Sequence, residues 1–296
     1  MGRTKKTKII KPGLYQGIPN SEYHRGEDYK PFLSRSDLMH LQDSPAHFTV
    51  YKNSPDEETA DMIFGSAAHE IIISKTEKEV AVGPETSRRT NVWKDFVTAN
   101  LGKYCITAEE YLRIKAMEKI FRKHKLATAL LYGATIEETC IWNHSMYEGV
   151  QGKCRPDIKK IIEPRHILAD YKTTGKRANK SEFAKATVNY GYDVQAKWYT
   201  DGMFTITGKE WEFLFIVQEK QPPFAIQVFR ATPKLLQLGE FKINYALKVY
   251  WDAKEQKEWD RSYMEKIHDL DPPAWAFNEW SHLITTEKGG LKYVNE

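Results

Sequence analysis

Val150-Gln-Gly-Lys-Cys-Arg-Pro-Asp-Ile-Lys-Lys-Ile-Ile-Glu-Pro-Arg-His-Ile-Leu-Ala-Asp-Tyr-Lys-Thr-Thr174 has two runs of strand character divided by the polar break Glu163-Pro164-Arg165. Asp157 lies on the first run, and Asp170 and Lys172 lie two apart at the end of the second. Side chains alternate faces along a strand, so Asp170 and Lys172 point the same way. The Ile167-Leu168-Ala169 lead-in buries the body of that strand. A strand hairpin is therefore expected here, with two acids and a lysine gathered near one end.

The remaining composition narrows what such a hairpin can belong to. A chain of 296 residues, 41% hydrophobic and 28% charged, can bury a substantial core and is ordinary for a globular protein. Cys105, Cys140 and Cys154 are scattered. That excludes a cysteine-rich zinc module or a locally held iron–sulfur cluster, and it fits a reduced, intracellular setting. No apolar run reaches membrane-spanning length, and the basic N-terminus lacks the apolar segment of a signal peptide. Net charge is only +4, which permits a nucleic-acid partner without demanding one.

Residues 1–11 read as a basic, poorly ordered arm, and residues 12–296 as a single domain. Pro12 to Pro31 is turn-rich and is expected to wrap irregularly. Ser34, with Asp37 three residues on, predicts a capped helix, and Ser44-Pro45 predicts a second. A helix is expected over Thr59 to Ser74, an irregular insert over Lys75 to Leu101, and one long helix over Thr107 to Leu131. The period then changes. Thr135 to Trp142, Trp211 to Gln218 and Ala225 to Arg230 read as strands. Ser181 to Asn189, Asp193 to Phe204 and Pro233 to about Glu258 read as helices, and the tail from Asp269 as irregular and aromatic.

Hydrolysing a phosphodiester takes a divalent cation, ligands to hold it, and a group that orients water or offsets charge. Magnesium prefers oxygen donors, so Asp157 and Asp170 qualify as ligands, with Lys172 as the orienting cation. The D-x-K spacing is short and common, and alone it equally describes two surface acids beside a lysine. Two further features add weight. His69 follows the small run Gly65-Ser66-Ala67-Ala68, which allows close packing. His69 and Glu70 are about 100° apart around a helix, so only one is expected to face a metal. Gln195 and Tyr199 share a helix face four residues apart, and both can hydrogen-bond a phosphate or a carboxylate.

Together these residues resemble the PD-(D/E)XK nuclease superfamily and, more narrowly, the phage and prophage RecE-type exonucleases (exonuclease VIII). The resemblance runs from Gly13-Leu14-Tyr15 to Tyr199. It takes in Ile18 to His24, Leu33 to Leu38, Ser44-Pro45-Ala46, Gly65 to His69, Arg155-Pro156-Asp157, Asp170 to Thr174, and Gln195 with Tyr199. It implies an α/β fold with a central mixed β-sheet flanked by α-helices. It implies a Mg²⁺-dependent 5′-to-3′ exonuclease on double-stranded DNA, with Mn²⁺ as a substitute, in the cytoplasm of a bacterial host. A ring-shaped homo-oligomer and a single-strand annealing protein of the RecT/Redβ type are implied partners. Residue by residue, His69, Asp157 and Asp170 fall on metal-ligand positions and Lys172 on the catalytic lysine. Gln195 and Tyr199 fall on the motif that follows it. Arg35, opening the first helix, is a weaker candidate for a DNA 5′-phosphate. Glu70, next to His69, stays open as the alternative third ligand. The large N-terminal extension of some RecE proteins has no counterpart, so the expectation is of the nuclease core alone.

Two other classes compete. One is a restriction-type or Cas4-like endonuclease of the same superfamily, though three scattered cysteines count against the Cas4-like cluster. The other is a non-catalytic DNA-binding accessory protein that keeps the fold, against which the filled catalytic positions argue.

Overall fold

The computed structural model describes residues 10–54 and 58–263 and, beyond these, residues 267, 269–273, 275, 284–287 and 290–293. In chain order it holds β1 (Gly13–Tyr15), α1 (Asn20–Arg25), α2 (Arg35–Asp43), α3 (Pro45–Asn53) and α4 (Ala60–His69). A π-helical turn, Glu70–Ser74, continues α4. β2 (Val80–Val82), α5 (Asn91–Ala99), β3 (Tyr104–Ile106), α6 (Ala108–Lys123) and α7 (Lys125–Leu131) follow. Next come β4 (Thr135–Ile136), β5 (Thr139–Asn143), β6 (Gln151–Cys154), β7 (Ile158–Ile162) and β8 (Arg165–Thr174). Then follow α8 (Lys180–Asn189), α9 (Tyr192–Thr207), β9 (Glu212–Glu219), β10 (Ile226–Arg230) and α10 (Pro233–Gln256).

The organising layer is a five-stranded sheet in the order β10-β9-β8-β7-β4. Its neighbours pair antiparallel except β8 and β9, which are parallel. A parallel pair needs a long crossover, and α8 with α9 supplies it. Alternation along the central strands builds two cores. Leu168, Phe213, Phe215 and Val217 face one, and Ile167, Ala169, Tyr171, Leu214 and Ile216 face the other. The first core is completed by residues of α2, α8, α9 and α10 and by the antiparallel sheet β1-β5-β6. The second is completed by α4, its π turn, α6 and α7. Helices thus cover both faces of a mixed sheet, the α/β layering that the resemblance implies.

Local differences from the sequence expectation have identifiable causes. Val150 to Thr174 is not one hairpin: β7 and β8 pair with each other, while β6 pairs with β5 in the smaller sheet. Arg155-Pro156-Asp157 is the step between sheets, where a proline without an N–H suits a break in the ladder. Asp157 therefore precedes its strand. Thr135 to Trp142 is likewise split, because Glu137 takes a left-handed backbone (φ 52°) between β4 and β5. The long helix after Thr107 breaks at His124, whose extended backbone ends α6 and whose Nδ1 accepts the Ala127 N–H that opens α7. The insert after Lys75 contains β2 and α5, the latter capped by Thr90 and anchored by buried Trp93. Within Pro12 to Pro31 lie β1 and the short α1.

Contacts group the chain into two compact units, 1–262 and 263–296, where the sequence reading carried one domain to the end. In the second unit β11 (Ile284–Glu287) pairs antiparallel with β12 (Gly290–Tyr293). Residues 1–9 of the basic arm, and Phe277 and Trp280 of the aromatic tail, lie outside the described residues. Among the described residues no helix is long and apolar enough to cross a membrane.

Candidate active site

The end of β8 presents Asp170 and Lys172 on the side of the sheet covered by α9. Asp170 is only 2% exposed; its Oδ1 is hydrogen-bonded, while its Oδ2 has an ion-pair neighbour but no hydrogen bond. Gln195 Nε2 donates to Oδ1 at 2.6 Å, and Lys172 Nζ stands 2.5 Å from Oδ2 as an ion pair. Gln195 lies in the first turn of α9, which Gly191 precedes in a left-handed backbone (φ 64°) that a residue with a Cβ would adopt only under strain. Tyr199, one turn further on, shares the cavity with Gln195 and packs edge-on against Phe213. The paired spacing read from the sequence thus places both side chains in one cavity, with Gln195 bonded to Asp170.

Asp157 arrives from the segment between β6 and β7. Its Oδ2 accepts the Tyr171 N–H at 2.7 Å, a backbone donor of β8 beyond the point where the β7 ladder stops. Its Oδ1 faces His69 Nε2 at 3.4 Å. His69 is the last residue of α4, and the helix then widens into the π turn, the kind of irregularity that gathers at functional sites. On the imidazole's other edge lie Ser74 Oγ, 3.5 Å from Nδ1, and Glu137 Oε1, 3.7 Å from it. Glu70 lines the same cavity of about 290 Å³, and its Oε2 is buried with no hydrogen-bond partner. His69, not Glu70, is the residue set against Asp157.

The charges of this cluster are strongly coupled. Burial alone would lower His69, but Asp157, with Glu137 and Asp170 behind it, carries it up to about 9. Burial raises Asp170, helped by the nearby charge of Asp157 and opposed by Lys172. Burial opposes ionisation of Asp157 too, yet His69, Lys172 and the Tyr171 N–H hold it below the usual range. Glu70 rises to about 7 through burial and the neighbouring carboxylates of Glu137 and Glu79.

A second cavity, of about 210 Å³, adjoins the first and shares Tyr23, His24, Lys172, Gln195 and Tyr199 with it. Its walls carry Arg25, Lys30, Arg35, Lys52 and Lys153. Arg35 is the first residue of α2, one guanidinium nitrogen bonds the Tyr190 carbonyl at 2.6 Å, and its Nε is buried without a hydrogen-bond partner.

Among the described residues no three His, Cys, Asp or Glu side chains are drawn together as a closed ligand set. The donors nonetheless fit a divalent cation. His69 Nε2 is buried and has no hydrogen-bond partner, and a carboxylate oxygen of Asp157 faces it. Asp170 completes a mixed nitrogen and oxygen set of the kind that suffices for a cation keeping several waters.

Two residues at this centre were not singled out from the sequence. Glu137 read as part of a strand, and the only signal was a pair of acids interrupting an apolar run. Arg155 stood in a motif without a role. It is buried, bonds Thr139 and Asn20, and lies 4.1 Å from the centre of the Tyr23 ring.

No curated protein matches the sequence. The structure is similar to a crystal structure described as a "Putative exonuclease" from Eubacterium rectale, at 13% identity and a TM-score of 0.58, covering 90% of this chain and 98% of that one. A phage related exonuclease from Haemophilus somnus 129PT aligns at 14% identity over 65% of this chain and 95% of its own, with a TM-score of 0.28. The first likeness concerns the fold, and the second is too slight to add to it. Residues 34–268 match the family described as PDDEXK-like domain of unknown function (DUF3799). By that match, which spans most of the sheet and every residue of the carboxylate centre, the chain belongs to the PDDEXK-like family.

Proposed function

We propose that the protein is a Mg²⁺-dependent exonuclease that resects linear double-stranded DNA 5′-to-3′, leaving 3′ single-stranded tails for annealing. The observation that carries this reading is the union of two cavities, one carboxylate-lined and one basic, through Lys172, Gln195 and Tyr199. Cutting inside a duplex calls for no enclosed basic pocket, whereas a duplex end offers a terminal phosphate to fill one. Arg35 suits that phosphate, being a guanidinium at a helix N-terminus with a buried, unpartnered nitrogen.

His69, Asp157 and Asp170 would hold the cation, with Mn²⁺ as the expected substitute. When bound, it would neutralise the phosphate and activate water. Lys172 stays protonated: burial works against its charge, but Asp170, Tyr192 and Asp157 outweigh it and raise its pKa. It therefore acts as a donor, orienting water and offsetting charge on the scissile phosphate, and not as a base. Gln195 fixes the orientation of Asp170 through its amide N–H. Burial, followed by the charge of Asp170, keeps the Tyr199 hydroxyl protonated, so it too can donate to a phosphate oxygen.

Digestion of linear duplex with 5′-phosphate or 5′-hydroxyl ends, against a closed circular control, tests the reading. Linear 5′-phosphorylated DNA should be degraded fastest, R35A should lose the preference for the phosphate, and the circle should survive. Asp170→Ala and Lys172→Ala should each slow degradation by about 10²- to 10⁴-fold. A cut circle would move the assignment to an endonuclease. No Mg²⁺-dependent cleavage at all would leave a DNA-binding accessory protein.

On the resemblance alone, the same proposal includes a ring-shaped homo-oligomer, a single-strand annealing protein as partner, and a site of action in the bacterial cytoplasm. Light scattering on the full chain tests the ring, and co-purification with an annealing protein tests the partner.

A further inference from the structure

Glu137 has no part in the chemistry above, yet its setting is unusual. It is held in a left-handed backbone (φ 52°), a conformation that side chains rarely adopt. Its N–H donates to the Asp157 carbonyl at 3.2 Å, which ties the β4–β5 turn to the loop carrying Asp157. The next residue, Glu138, turns away to an ion pair with Lys159. Of two adjacent acids, one is neutralised by a lysine and the other is aimed at an imidazole. Glu137 Oε1 lies 3.7 Å from His69 Nδ1, while Nε2 on the opposite edge faces Asp157 Oδ1.

A neutral imidazole carries one N–H and one lone pair, and whatever accepts at one nitrogen decides where the lone pair points. A carboxylate can only accept, so without a cation Asp157 and Glu137 together hold the ring protonated at both edges; a cation taken up by Asp157 would displace the Nε2 proton and leave the one that faces Glu137. Ser74 Oγ, the other neighbour of Nδ1, can donate or accept and so fixes nothing. We propose that Glu137 is a positioning residue that keeps the proton of His69 on Nδ1 and thereby presents the Nε2 lone pair to the cation. This rests on the reading of His69 as a ligand. The separation of 3.7 Å is a few tenths of an ångström beyond a hydrogen bond. A cation held at Nε2 would make the Nδ1–H a stronger donor toward Glu137, the kind of partner that raises the basicity of histidine ligands elsewhere.

The test is Mn²⁺ affinity of the full-length protein, read by electron paramagnetic resonance without DNA. Glu137→Asn keeps a side chain that tolerates the left-handed backbone but is too short to reach His69. It should weaken Mn²⁺ binding about 10- to 100-fold. Glu137→Gln, whose amide oxygen can still accept, should recover part of that loss. Ser74→Ala should change affinity little. In the Mg²⁺-loaded, ¹⁵N-histidine-labelled protein, the Nδ1–H of His69 should resonate downfield as a hydrogen-bonded proton in the wild type, and in E137N it should move upfield and broaden by exchange with water. Asp157→Asn is the control for the site itself and should abolish binding. Wild-type affinity in E137N, with binding abolished in D157N, overturns the role of Glu137 and leaves the site standing. Wild-type affinity in D157N overturns the site and the proposal with it.

Discussion

At the scale of single residues, Lys153 is the group whose burial has the clearest consequence. It is 3% exposed, and its ammonium donates to the carbonyls of Tyr23 and Tyr29 at 2.6 and 3.1 Å. Burial, reinforced by the charge of Lys52, brings it down to about 7. Below pH 7 the folded and unfolded chains both hold the proton, and the cost of burying the charge is felt in full. Between about 7 and the ordinary lysine value near 10.4, the unfolded chain keeps the proton and the folded chain sheds it. Stability should therefore rise with pH across that window, by at most about 1.4 kcal/mol per pH unit from this group. Denaturant unfolding of the wild type and Lys153→Met from pH 6.5 to 9 (roughly the lower part of that window) checks it. Parallel profiles for the two proteins would show that Lys153 is not the titrating group.

At the scale of elements, the crossing of α9 and α10 sets where Gln195 and Tyr199 stand. Gly239 lies at the contact, where an added Cβ would be 2.3 Å from the Asp193 carbonyl oxygen. One turn along, Lys242 reaches buried Asp193 at 2.6 Å and pins the same pair. Gly239→Ala should push the helices apart and cost about 1–3 kcal/mol, with the loss visible as a lower denaturation midpoint. An unchanged midpoint would mean that the crossing has slack. What the sequence disclosed, and what it hid, also divides by element. Asp170 and Lys172 were legible because a strand repeats every two residues, and Gln195 with Tyr199 because a helix repeats every four. The capping box of Ser34 and Asp37 formed as its spacing predicted. Glu137 was hidden because its role depends on a left-handed backbone between β4 and β5, and an alternation pattern carries no trace of that. The transfer of β6 to another sheet was hidden for a related reason. Periodicity tells which face of a strand is apolar, but not which strand it pairs with.

At the scale of the whole molecule, the division at Ser262 predicts that the first unit does not depend on the second for folding. A chain ended at Ser262 should unfold cooperatively at a midpoint close to that of the full protein, by circular dichroism, and should match the full protein in the proposed metal-dependent degradation of linear duplex. A molten truncated chain would show that the two units fold together. The two cores on either side of the sheet have another consequence. His69 comes from the helix packed in one core, Gln195 from the helix packed in the other, and Asp170 from the strand between them. Neither half alone holds a complete centre. During synthesis, the acids, the histidine and the lysine emerge long before β9 arrives to pair with β8 and close the sheet. If the proposed function holds, a nascent or half-unfolded chain is harmless to the DNA around it, and the cutting edge is assembled only when both layers have closed upon the strand they share.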